Sequence, residues 1–481
     1  MIRFIQRLSP PQVIKYTSLL LILVSLISLG WWLGKDPTRD FSVSMPGLDN
    51  RGAGFGANEE VLIGELFNEL STGFTQLNET WPRFRGEAFD NISRSPVPLK
   101  DRFGGQPEVV WSVDLGEGHS GAAIWKGLVY LLDYNEEERA DYLRCFSLTT
   151  GEELWRRGYN VAIKRNHGMS RTVPAVTEEH ILSMGPRCHV MCLERETGNF
   201  LWGIDIEKEY ASEVPLWYTG QCPLIDDGKA ILATGGNALM IAVDINTGEK
   251  LWETPNPNGY KMSHSSVMPF TFGGRKMYVY SAVGALVGIA ADGEDAGSLL
   301  WEVTEWNKSV IAPSPVCMPD GKIFITGGYG AGAMMVQLSA QNGRIAAAIA
   351  AEYAPRDGLS SEQQTPLYWN GHLFGILPKD GGPLRNQMVC VHPSDPQKVI
   401  WSSGSDKRFG LGPFMVADNK LYLWNDDGGL FILQPSLTGY IELDHAQVIP
   451  DGHDAWAPIA VADGYMLVRD SHTMVCLNMN K

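Results

Sequence analysis

One motif recurs along this chain at a nearly fixed interval, and that periodicity limits the fold more than any other feature. Gly followed four residues later by Trp closes TTGEELW at Trp155, ETGNFLW at Trp202, NTGEKLW at Trp252 and AGSLLW at Trp301. DPQKVIW ends at Trp401 without the Gly, QNGRIAA carries Ala347 in the Trp position, and LTGYIEL carries Leu443 there. The mean step is about 48 residues, a period that belongs to solenoids, propellers and repeat arrays.

Other marks repeat in phase with the first. Pro174, Pro223, Pro315, Pro366, Pro413 and Pro458 each open a short apolar run, with Ala122 and Val267 in the same place in two further units. A turn and a second run follow (EHILSM, GKAILAT, GKIFITG), then a third (VMCLER, MIAVDI, MVCVHP), and the fourth ends at the Trp. Short runs of Val, Ile, Leu and Tyr split by Gly, Asn and Asp read as strands. Four strands per unit and eight units predict an all-β, eight-bladed propeller of four-stranded blades. Pro cannot donate to a ladder, so it belongs where an innermost strand begins. The last unit stops after its third strand, and the missing fourth lies ahead of the first unit at EVVWSVD, 108–114. The ring is therefore expected to close with that N-terminal strand. Cys145, Cys192, Cys390 and Cys476 share one third-strand position, with Ala242 and Ala290 in two other units; this predicts a small buried packing site and free thiols.

Before the repeats, Tyr16 to Gly34 runs without a charge, and Trp31 and Trp32 sit at its far end. Such a stretch can cross a bilayer. No small-x-small cleavage pattern follows Gly30, so an uncleaved anchor is favoured over a signal peptide. Arg3, Arg7 and Lys15 precede the span, and Lys35 and Arg39 follow it beside Asp36 and Asp40. This bias predicts a cytoplasmic N-terminus. The organisation expected is a cytoplasmic tail, 1–15; a transmembrane helix, 16–34; a linker, 35–80; and the propeller, 81–481. Leu62, Leu66 and Leu70 suggest one short helix in the linker.

The closest copy of the repeat, Ala242-Val243-Asp244-Ile245-Asn246-Thr247-Gly248-Glu249-Lys250-Leu251-Trp252, resembles the PQQ-type (quinoprotein-like) propeller repeat, ALD-x-x-TG-x-x-x-W. Trp81-Pro82-Arg83-Phe84-Arg85-Gly86 is similar to the WP-x-FRG lead-in of many bacterial proteins of that family. The resemblance covers about residues 105–481. It implies one of two branches: dehydrogenases that oxidise alcohols or sugars with PQQ and a metal, or non-enzymatic scaffolds such as the propeller of the outer-membrane β-barrel assembly machinery. Alcohol-oxidising members carry an adjacent Cys-Cys disulfide; this chain has no Cys-Cys pair and no CxxCH.

The reading that follows is a membrane-anchored, non-enzymatic protein-binding scaffold, single-pass in the cytoplasmic (inner) membrane with its propeller facing the periplasm or exterior. The alternative is a PQQ-dependent dehydrogenase acting on an alcohol or sugar. No cofactor and no metal is expected under the first reading; PQQ with calcium belongs to the second. The partners expected are other proteins, and the membrane through the N-terminal helix. A net charge of −16 argues against nucleic acid, which needs a basic stripe. The Asp426-Asp427 pair reads as solvated turn charge. Residues just ahead of each inner-strand start are expected to rim one mouth of the channel: His119, Arg171, Trp217, Gln221, His264, Gln363, Gln364, Asp454 and Trp456. Of these, Arg171, Trp217, Gln221, His264, Gln364, Asp454 and Trp456 are the binding candidates, with Arg171 and Trp456 as anchors.

Overall fold

The structure, a computed structural model, describes residues 9–34 and 60–481. Residues 1–8 and 35–59, with Arg3, Arg7, Lys35 and Arg39 of the expected charge bias, lie outside the described residues. The chain forms two units, Met1–Arg51 and Gly52–Lys481.

In the first unit, a helix spans Pro10–Leu33. It starts six residues before the uncharged run, because Pro is tolerated in a first turn, whose N–H groups have no helical acceptor. The Ser9 N–H donates to Gln12 Oε1 at 3.0 Å, satisfying one group at that end. None of its residues is buried, and it is apolar enough to cross a membrane. Its 24 residues rise about 36 Å, against roughly 30 Å of hydrocarbon.

The second unit is an eight-bladed propeller. Eight antiparallel sheets follow one another among the described residues; in six of them the four strands run in consecutive order from the channel outward. Blade three is typical: Leu224–Asp226 innermost, then Lys229–Ala233, Ala238–Asp244 and Lys250–Pro255. The inner strands of blades two, three, five, six and seven start one residue after Pro174, Pro223, Pro315, Pro366 and Pro413. In blade eight, Ala460–Ala462 is joined by Tyr465–Arg469, Thr473–Asn478 and, outermost, Val109–Asp114 from the N-terminal side. The ring closes as the sequence predicts.

The recurring Trp has two jobs. Across its own blade it faces the small third-strand residue: Trp155 opposite Cys145, Trp202 opposite Cys192, Trp252 opposite Ala242, Trp401 opposite Cys390 and Trp111 opposite Cys476. A larger residue there would collide with the indole. In blade four this residue is Gly288, opposite Trp301, and not Ala290 as the run suggested; a Cβ on Gly288 would fall 2.2 Å from the Trp301 ring. In blade five, Ala351 and not Ala347 sits in the Trp register, opposite Met335 just before the bulge. In blade seven Asp444, opposite Ile432, holds that place, and Leu443 lies in the bulge.

Toward the next blade, the same Trp docks on the Thr-Gly turn. The Trp202 indole N–H donates to Ile245 O at 2.7 Å, and its ring lies on Gly248. Trp111 does the same with Leu148 O, at 2.8 Å, and Gly151. Gly248 has φ +73°, and a Cβ would stand 2.8 Å from the ring. Both the left-handed backbone and the close approach demand glycine. The core is accordingly a series of layers between neighbouring blades, such as Leu182, Val190 and Trp202 of blade two against Ile225, Leu232 and Ile241 of blade three. All seven thiols are free, six of them buried.

The helix expected around Leu62–Leu70 is absent. Leu66–Glu69 is instead a strand on the outer edge of blade one, paired with Glu153–Asn160. Three leucines at i, i+4 spacing are a weak helical signal over one or two turns. The open edge supplies backbone partners, and Arg157 covers Phe67 at 4.1 Å while donating to Gly64 O at 2.9 Å.

Candidate functional site

The segment that resembles the family lead-in turns into the channel. Thr80–Trp81 pairs with the innermost strand of blade one, so that strand is not an edge. Pro82 O accepts from Val176 N–H of blade two at 2.8 Å, and Arg83 donates to Ile225 O of blade three at 3.2 Å. Arg85, 5% exposed, donates to Thr365 O and Pro366 O of blade six at 3.1 and 3.2 Å and to Phe89 O at 2.9 Å. Asn91 and Ser93 bond the backbone of blade seven, and Lys100 that of blade eight. The segment plugs one half of the channel and leaves a funnel open at the other mouth, with Phe84 in its lining.

The funnel holds about 830 Å³ of space, counting the part open to solvent. Its walls come from every blade but the seventh. Five of the seven binding candidates line it: Arg171, Trp217, His264, Gln364 and Trp456, together with His119 and Gln363. Gln221 does not. Its amide is fully buried behind the wall, donating to Ala233 O and accepting from Ala233 N–H, both at 2.9 Å. Asp454 is exposed at the rim and outside the lining.

Trp456 is held from three sides. Its indole N–H donates to Asp426 Oδ1 at 2.9 Å, its ring lies 4.8 Å from His119, and its carbonyl accepts from Gln364 Nε2 at 3.0 Å across the funnel. Asp426 is therefore no solvated turn charge: it also accepts from Leu411 N–H at 2.7 Å, and burial raises its carboxyl above the usual range. Trp217 stacks with Tyr329 at 5.4 Å and His264 at 6.4 Å. Trp217 and Tyr218 both take left-handed φ, +64° and +71°. Such strain persists only where the surroundings hold it; here Tyr218 OH donates to Lys164 O and accepts from Lys164 N–H.

Charge in the funnel centres on Arg171. Its Nη2 donates to the carbonyls of Asn166, His167 and Gly168, which fixes the guanidinium. Burial lowers its pKa to about 10, so it stays a cation at neutral pH. Burial first, and then the charge of Arg171, drive His119 and His264 down to about 3, with Arg469 adding to the effect on His119. Both rings are neutral at physiological pH. Burial raises the Glu362 carboxyl, which also lines the wall.

The residues immediately before the inner strands do a different job. Val173 N–H donates to Cys222 Sγ, Cys222 N–H to Ser266 Oγ, Ser266 N–H to Ser314 Oγ and Ser314 N–H to Thr365 Oγ1, at 2.9–3.2 Å. From blade two to blade six, each blade's backbone is tied in this way to a short side chain of the next. Cys222 and Ser266 of this ring also reach the funnel lining, so ring and wall overlap at blades three and four. Reading along the strand starts also missed Phe84 and Tyr329. Tyr329 comes from the Gly327-Gly328-Tyr329-Gly330 turn of blade five; a lone exposed aromatic among glycines was the available signal.

Residues 139–355 match the sequence profile of a family described as outer membrane protein assembly factor BamB. Among solved structures, the fold is similar to quinohemoprotein alcohol dehydrogenase ADHIIG from Pseudomonas putida HK5, at 12% identity and TM-score 0.55 over 83% of this chain and 80% of that one. It is also similar to a europium-containing methanol dehydrogenase, at 10% identity and TM-score 0.58 over 81% and 89%. BamB from Moraxella catarrhalis aligns at 14% identity and TM-score 0.49, over 77% of this chain and 99% of that one. A search of curated proteins gave no match. The profile and the first two structures bear out the resemblance to PQQ-type propellers and the eight-bladed fold.

Proposed function

We propose that this chain, a propeller of the PQQ-type repeat, is a membrane-anchored binding scaffold whose funnel docks a partner protein in the periplasm. The observation that carries the reading is the blind funnel: its own lead-in segment fills one half of the channel, and aromatic walls and a single fixed cation face the open mouth. Convergent polar groups among aromatics are what recognition requires. The apolar helix Pro10–Leu33 would tether the propeller to the inner membrane.

The alternative, a PQQ-dependent dehydrogenase, asks the site to hold a flat tricarboxylate and a divalent cation. The funnel lining offers one guanidinium, Arg171, and one carboxyl, Glu362. Among the described residues no group of three or more His, Cys, Asp or Glu is placed to hold a metal ion. The residues present do not fit that group.

Co-purification from detergent-solubilised membranes tests the scaffold reading. Wild-type protein should retrieve a defined set of partners, and the Arg171→Ala, Trp456→Ala double variant should lose them while still folding with a single cooperative melting transition, at a temperature lowered by the lost hydrogen bonds. Retention of the same partners at wild-type yield refutes the funnel as the docking point. Stoichiometric PQQ uptake in the presence of calcium, seen in the absorbance spectrum together with turnover of an alcohol, refutes the scaffold reading itself. A periplasm-dependent reporter fused after Lys481 should be active; activity from a cytoplasm-only reporter reverses the topology.

A further inference from the structure

We propose that the funnel captures the free carboxylate end of an extended peptide whose last side chain is apolar, with Arg171 as the anchor; this rests on the docking role given to the funnel above.

The shape selects a chain end. The lead-in segment bonds the inner strands of blades one, two, three, six and seven, with Phe84 in the funnel lining. A polypeptide cannot thread through a channel closed in this way, so a chain that enters must do so terminus first.

The charge selects which end. Among the described residues no carboxylate pairs with Arg171. Its Nη2 is committed to three carbonyls, and among the described residues Nη1 makes no bond and Nε is buried without an acceptor. Glu117 acts on Arg171 through space and is itself paired with Arg165; a half-buried cation with no carboxylate in contact is costly, and an incoming anion relieves that cost. An ammonium terminus would be repelled. His119 and His264 are neutral beside it, so Arg171 is the one cation of the lining. That matches a monoanion such as a carboxylate better than a phosphate, which draws clusters of cations. Glu362, the carboxyl of the lining, makes no ion pair with Arg171 among the described residues; its charged neighbours are Lys379 and Asp380, and burial raises its carboxyl.

The walls select what precedes the carboxylate. Trp217 is engaged with Tyr329 and His264, and Trp456 with His119. These ring pairs line the funnel with aromatic surface suited to an apolar side chain. Gln363 and Gln364 add amide groups able to meet a peptide backbone. The left-handed pair Trp217–Tyr218 stores strain at this wall, as ligand clamps do.

The test uses full-length protein in detergent micelles, titrated calorimetrically with N-acetyl-Gly-Ser-Gly-Phe as the free acid. Its C-terminal amide, the unacetylated amide and digalacturonate serve as comparisons. The acid should bind roughly 10- to 100-fold more tightly than the amide, the range expected of a charge-assisted pair. Arg171→Gln should remove that preference, and Arg171→Lys should keep part of it. Because Arg171 also holds the 166–168 loop, Ala312→Trp provides a second variant: it fills the funnel with Arg171 in place and should abolish acid binding. Equal affinity for acid and amide, or no binding of the acid at millimolar concentration, overturns the proposal. So does tighter binding of the unacetylated amide, which would assign the site to an ammonium end, or of digalacturonate, which would assign it to an acidic glycan. If the peptides fail but the double variant above still loses its partners, the docking role stands and only this inference falls.

Discussion

Asp141 gives the sharpest energetic test of the propeller. It lies on the third strand of blade one, facing blade two, and is 1% exposed. Its Oδ1 accepts from Ser170 Oγ at 3.0 Å and its Oδ2 from Tyr159 OH at 3.2 Å. Burial is the largest influence and raises its carboxyl pKa to about 7; the two hydrogen bonds pull down and Asp133 pushes up. In the unfolded chain the value is about 3.9. The folded protein therefore binds this proton more tightly than the unfolded chain. The stability it contributes is complete below about pH 4 and is lost as pH rises through about 7. A gap of about three units corresponds to about 4 kcal/mol. His119 and His264 act in the opposite sense: their depressed values mean stability is lost as pH falls from about 6.5 toward 3. The wild-type curve sums both effects, so the informative quantity is a difference. Asp141→Asn keeps the shape and cannot titrate. Its unfolding free energy minus that of wild type should climb by about 4 kcal/mol between pH 4 and 7 and then level off. Urea unfolding followed by tryptophan fluorescence at fixed pH values measures it. A difference that stays flat within about 1 kcal/mol over that range would refute the assignment of a buried, proton-binding carboxyl.

Three further outcomes follow from the packing. Trp202→Ala should cost about 3–5 kcal/mol, seen as a lowered melting temperature, since it empties an interblade layer and strands the Ile245 carbonyl. Removing residues 105–116 deletes the closing strand of blade eight and should lower the melting temperature of the whole ring; an unchanged value rejects this closure. Arg85→Ala leaves the carbonyls of Phe89, Thr365 and Pro366 without their donor and should destabilise by roughly 3 kcal/mol. In that variant amide exchange should speed up most in residues 82–93, the plug segment that Arg85 ties to blade six.

The repeat was legible because its residues answer local and nearest-neighbour demands. Gly248 must take a left-handed turn under the Trp202 ring, Cys192 must be small opposite that Trp, and Pro223 can stand only where a strand begins. These constraints recur with the unit, so a single sequence displays them several times, and closure by residues 109–114 follows from counting strands. Where a unit departs from the pattern, only the ladder gives the register: Gly288 took the place assigned to Ala290, and Ala351 that of Ala347. The funnel was half legible. Its wall was sought near the inner-strand starts, and Arg171, His264 and Trp456 are there, yet Gln221 in the same place turns into the wall to hold Ala233. Alternation along an irregular approach to a strand is not fixed by sequence, so the side a residue faces is decided by the neighbouring blade. Tyr329 and Phe84 arrive from a turn and from a segment far along the chain, and no local pattern joins them to Arg171. Nor does any pattern show that Arg85 would find its acceptors in blade six, 280 residues away. The sequence determined the blades, because their rules are periodic and short in range. The tertiary structure alone decided which channel mouth is filled and what faces the other, because those contacts are made once, between residues with no repeat to announce them.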